Sequence, residues 1–268
     1  MLGKLLKYEI KATGRTFLPM YALLVVFALI NKFFLAVNND YFKVPQIIAM
    51  SVFVVIIVGI CVMTLVVAIQ RFNKNLLSDE GYLSFTLPVK VHTQIDCKMI
   101  VSLMWTALSV IVSMISIFIM AVDQVTLQKV REAFSQLNSA MNTVGASGYV
   151  ILLEVLLLLI IGTLAGITSI YAAVAIGNMS SKHKLLAGVG AYLGFGVIEQ
   201  IVASFIFTSF GDSIRNYFES LRATAASVAQ VSSAVELVLL GVIVYTLVFG
   251  VAFYFLTEWM LRKKLNLE

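Results

Sequence analysis

The sequence predicts an all-α polytopic membrane protein with six transmembrane helices and both termini cytoplasmic. An N-terminal interfacial helix and amphipathic helices in the outer loops complete the plan. Three observations predict it. Only 12% of the 268 residues are charged and 60% are hydrophobic, with mean hydropathy +0.98. A soluble domain carries about 25% charged residues, so most of this exterior must face something other than water. The apolar residues gather into six runs, each near or above the roughly 20 residues that cross a hydrocarbon core about 30 Å thick. Lysine and arginine, finally, gather between alternate runs.

The elements follow in order along a single transmembrane domain, 1–268. Residues 1–16 interleave Leu2, Leu5, Leu6 and Ile10 with Lys4, Lys7, Lys11 and Arg15. That pattern predicts an interfacial helix that sinks its apolar side into the headgroups and turns its cations to anionic lipid. No small-residue cleavage site follows the first apolar run, so it reads as a retained span. The spans fall at 17–37, 45–70, 100–122, 149–177, 185–210 and 235–259. Asn31 and Lys32 interrupt the first, which a lysine stem reaching the headgroups can accommodate. The segment 123–148 repeats apolar Val130, Phe134, Leu137, Met141 and Val144 at helical spacing, and 211–234 carries a similar face from Ile214 to Val228. Each either caps the bundle or lines the outer mouth of a pathway.

Orientation comes from counting Lys and Arg. With the N-terminus inside, thirteen fall on the cytoplasmic side and six on the other. The net charge of +5 is therefore explained by cationic loops, with no nucleic-acid partner implied.

Catalytic and metal chemistry find no constellation. Cys61 and Cys97 have no metal-ligand spacing, and His92 and His183 lie in cytoplasmic loops. There is no G-x-x-x-x-G-K-[ST] phosphate loop, so the chain is not expected to be an enzyme and needs no cofactor of its own. One carboxylate, Glu199 with Gln200 beside it, falls deep in the fifth run and is a substrate-path candidate or a structural pairing group. Glu154 and Glu236 lie near span ends and read as interfacial. Gly162 and Gly166, and Gly190 and Gly194, have the small-x-x-x-small spacing that lets helices pack closely in lipid.

The cytoplasmic segment 71–99 is the most informative. Leu76, Leu77, Tyr82, Leu83, Phe85 and Leu87 need burial against the bundle or a partner. Gly81 permits a sharp turn and Pro88 can open the next helix. The string Ser78-Asp79-Glu80-Gly81-Tyr82, then Thr86-Leu87-Pro88 and Lys98, resembles the corresponding loop of ABC-2-type transporter permeases. The Leu- and Lys-rich opening 2–15 and the six-span plan are similar to that family too.

The resemblance implies the transmembrane subunit of an exporter in the bacterial cytoplasmic membrane. Its partners would be a cytoplasmic ABC ATPase dimer, which binds the ATP and magnesium, and a second permease subunit, identical or paralogous. Asp79, Glu80, Gly81, Tyr82, Leu83 and Pro88 would form the ATPase-coupling segment. Asp79 and Glu80 also suit a helix N-terminus, a compatible role. The implied cargo is amphipathic: an antimicrobial peptide, a drug or a lipid-like molecule. A secondary transporter or channel, and a non-transporting ligand-sensing subunit, are the competing classes.

Overall fold

The computed structural model describes residues 2–37, 40–77, 90–180, 182–223 and 228–263. Among them the chain is all-helical and has no strand. The helices are α1 (Leu2–Val37), α2 (Lys43–Leu76), α3 (Val91–Ala121), α4 (Gln124–Val144), α5 (Ala146–Asn178), α6 (Lys184–Ala223) and α7 (Val228–Lys263), with a short 3₁₀ turn at Asp40–Phe42 before α2. All but α4 are long and apolar enough to cross a membrane, so the chain is a multi-pass membrane protein.

Several helices run past the predicted spans. α1 has 36 residues, about 54 Å of helix, and continues unbroken from residue 2 through Pro19. The segment 1–16 is therefore the opening of the first spanning helix. α3 begins at Val91, so 91–99 is helix as well. The second outer segment is divided between the end of α6 and the start of α7, whereas α4 is a helix of its own. Gly145 joins α4 to α5 at φ +68°, a backbone region that glycine enters without steric cost. Phe134 and Leu137 of the α4 stripe are exposed.

The chain divides into two compact units, residues 1–131 and 132–268. In the first, α1 and α3 run parallel, as the pairs Glu9–Lys98 and Tyr21–Ser109 require, and α2 runs antiparallel to both. Their contact is a seven-residue pattern. On α1 it is Thr13, Phe17, Tyr21, Leu24, Ala28 and Asn31, spaced four, four, three, four and three. Phe53 and Ile60 of α2, with Val101 and Trp105 of α3, complete this core. Asn31, predicted as an interruption, is 1% exposed and donates to the carbonyls of Phe27 and Ala49 at 2.8 and 3.1 Å. It ties α1 to α2 instead of seeking the headgroups.

In the second unit α6 lies antiparallel to α5 and α7. Gly188 meets Gly177 and Ala173, Phe195 meets Phe253 at 4.7 Å, and the Glu199 carbonyl accepts from Tyr245 Oη at 2.7 Å. Sharing an antiparallel neighbour, α5 and α7 are parallel to each other, with Ala165 against Gly250. The close glycine approaches differ from the predicted ones. A Cβ on Gly177 would stand 2.6 Å from the Lys184 carbonyl oxygen, whereas one on Gly162, Gly166, Gly190 or Gly194 would meet nothing within 4 Å. The spacing identifies small strips but not which strip has a neighbour.

Candidate functional site

The densest polar arrangement in the first unit lies where α2 ends and α3 begins, at the two ends of the 78–89 connection. Glu9 sits on the third turn of α1, on the face that continues to Thr13 and Phe17. Its Oε1 is 2.7 Å from Lys98 Nζ and 4.0 Å from Arg71 Nε. One carboxylate thus joins the last turns of α2 and the first turns of α3 to α1. The Lys98 side chain is 9% exposed and that of Arg71 34%, so the first pair is buried and the second partly wet.

A hydrogen-bonded column continues from this anchor toward the middle of the helices. Thr13 Oγ1 donates to the Glu9 carbonyl at 2.8 Å and accepts from Trp105 Nε1 at 2.7 Å. The indole lies stacked on Phe17, with centroids 4.6 Å apart and planes 13° from parallel. Gly14 makes room for it: a Cβ there would already be in van der Waals contact with the ring. One helical turn further, Tyr21 Oη is 2.8 Å from Ser109 Oγ, which is 3.2 Å from Thr64 Oγ1. Thr64 donates to the Ile60 carbonyl and Tyr21 Oη also reaches the Trp105 carbonyl at 3.4 Å, so Ser109 donates to either Thr64 or Tyr21 and every hydroxyl has a partner. A small recess, with room for about one water, opens beside the column, lined by Glu9, Thr64, Arg71, Lys98, Ser102 and Trp105 among others.

The predicted coupling residues Asp79, Glu80, Gly81, Tyr82, Leu83 and Pro88 lie outside the described residues. What the structure adds is the footing on either side of them. Lys98 and Cys97, read as loop residues, are buried in α3: Gln94, Lys98, Val101 and Trp105 share one helical face. Glu9, Thr13, Tyr21, Ser109 and Trp105 were missed by motif reasoning. A signal existed, since Glu9 is the single acid among Lys4, Lys7, Lys11 and Arg15, which a purely lipid-facing cationic helix does not need.

In the second unit Glu199 is half-buried on α6 and Gln200 is exposed. Tyr245 takes the backbone carbonyl of Glu199, and among the described residues the carboxylate has no hydrogen bond or ion pair. The structure gathers no group of three metal-ligating side chains anywhere among the described residues. Glu154, read as interfacial, is instead 4% exposed. Comparison with protein-family models, with curated proteins and with solved structures gave no match.

Proposed function

We propose that this chain is the membrane-spanning subunit of an ATP-driven ABC-2-type exporter, with both termini cytoplasmic and its motor on a separate ATPase. The reading rests first on the Ser78–Tyr82 and Thr86–Pro88 strings and the six-span plan. The observation that carries it furthest is the Glu9–Lys98–Arg71 anchor. A segment that receives a push from a partner moves the bundle only if its two ends are fixed to the bundle. Here one buried carboxylate fixes both ends to α1. A solvated loop needs no such footing, and closing the two ends in one place is what a two-state coupling element uses.

In this mechanism an ATPase dimer closes against 78–89, and α2 and α3 transmit the displacement through the Trp105–Phe17 stack to α1. A second permease subunit completes the path, and an amphipathic substrate moves outward. Co-purification in mild detergent with a co-expressed ABC ATPase from the same genome tests the reading. The expected result is a complex lost when Asp79 and Glu80 are both changed to Ala. No association with any ATPase, from cells that express both genes, sinks the proposal.

A further inference from the structure

Two acids of the second unit, Glu154 buried and Glu236 half-buried, stand outside the exporter reading. Thr168 Oγ1 reaches the Gly250 carbonyl at 3.3 Å, and α5 and α7 are parallel. Counting fourteen residues back from each side of that contact reaches Glu154 on α5 and Glu236 on α7. The two acids therefore sit at one level, within about a helical turn.

They also sit on facing stripes. Glu154 shares its stripe with Ala165, Thr168 and Ala172, at the seven-residue spacing that faces α7. Glu236 shares one with Ser232, Ile243, Gly250 and Phe253, and of these Ser232, Ile243 and Phe253 are buried. Glu154 is 4% exposed; its Oε2 and Oε1 of Glu236 are sealed from solvent with no hydrogen-bond partner.

Nothing described in this unit neutralises them. α5 contains no Lys or Arg. Arg262 is 26 residues beyond Glu236, about 39 Å along α7, and pairs with Glu258. Lys182 and Lys184 are at the other end of the α5–α6 pair. On α6, Asp212 and Arg215 come near this level, but both are exposed, and Arg215 is held by Glu219 at 2.9 Å. Helix-dipole attraction does not account for the acids, because it fades within the first turn and both lie two turns inside. Buried carboxylate oxygens without a partner are costly in any fold, and more so within a hydrocarbon-facing helix pair.

We infer that Glu154 and Glu236 form a binding site for a divalent, oxygen-preferring cation between α5 and α7. Two carboxylates balance a charge of two. The nearby hydroxyl on the same stripe, Ser232, is an oxygen as well, and an all-oxygen set selects calcium or magnesium over softer metals. The bound cation clamps α5 to α7 at the end remote from the Gly177–Gly188 contact.

The test is thermal unfolding of the full chain in detergent after chelation, with calcium, magnesium or potassium added back at matched ionic strength. At about 100-fold over Kd, one divalent ion raises the midpoint by about 5 °C or more, and potassium does not. Glu154→Gln and Glu236→Gln each abolish the divalent shift. Glu219→Gln and Glu258→Gln, on acids already paired, retain it. If Glu154→Gln is not recovered folded, Glu236→Gln carries the same comparison on the less buried partner. Absence of a divalent-specific shift in the unmodified chain, or its survival in the recovered Gln variants, overturns the site.

Discussion

Removing the Glu9 carboxylate is the perturbation that separates an anchor from an incidental ion pair. Glu9→Gln leaves Lys98, with a side chain 9% exposed, facing Arg71 with no anion between them. Breaking a buried pair from one side costs about 3–5 kcal/mol, because the remaining charge stays desolvated. Lys98→Met is milder. It leaves Glu9 with Arg71 still 4.0 Å away, and about 1–3 kcal/mol is expected, as for a buried polar group short of one partner. Replacing both, Glu9→Gln with Lys98→Met, removes the buried charges together and leaves Arg71 a third exposed to find water. The double variant should therefore cost about 1–3 kcal/mol less than the two single costs summed. Denaturant unfolding in detergent measures all three, followed by Trp105 fluorescence in a Trp259→Phe background so that only the first unit reports. Single-variant costs that simply add, or a Glu9→Gln cost no larger than that of Lys98→Met, refute the reasoning.

Four further outcomes follow, three from the geometry and the last from the exporter reading. Gly177→Ala drives a Cβ to 2.6 Å from a backbone oxygen that cannot step aside, so α5 and α6 must part; about 1–3 kcal/mol or more is lost in denaturant unfolding followed by Trp259 fluorescence in a Trp105→Phe background, where the second unit reports. Gly190→Ala and Gly194→Ala meet open space and leave the midpoint unchanged or slightly higher, since alanine is the better helix former. Trp105→Phe keeps a ring on Phe17 but deletes the donor to Thr13; it costs about 1 kcal/mol, while a Thr13→Val change in the same background adds little. Glu199→Gln lowers ATP-dependent transport in proteoliposomes while leaving assembly intact, and unchanged transport removes it from the pathway.

The membrane fold was legible because hydrophobic length is a one-dimensional property: six long apolar helices appear where the six runs do. Their ends were less so. Hydropathy marks the part of a helix that lipid surrounds, and 91–99 is helix held by protein, with Ile95, Cys97 and Lys98 buried. Polar residues were read one at a time, against lipid or water. Asn31 and Lys98 are explained by a partner eighteen or eighty-nine residues away, which no local pattern names. The glycine strips failed for a related reason. Small-x-x-x-small spacing says that a close approach is possible, and only the pairing of helices decides that Gly177 meets Gly188 while Gly190 meets nothing.

The two units are held by different physics, and on the exporter reading that difference bears on how a push at 78–89 would be received. Between helices in lipid, burial of apolar surface supplies little drive, so packing and hydrogen bonds carry cohesion. The first unit has both: a stacked Phe17–Trp105 pair, a hydroxyl relay and an ion pair spread over three helices. Tilting α2 or α3 alone breaks several of these at once, so a load applied to their shared end moves α1 with them. The second unit relies on backbone proximity at Gly177–Gly188 and Ala165–Gly250, and none of the described residues of α6 is buried. Its contacts with α5 and α7 follow one half-buried stripe from Gly188 through Ala191, Phe195 and Glu199 to Val202. Such a helix can slide or lean with few bonds to break. Glu199 lies on that stripe, where a small shift changes what its carboxylate faces.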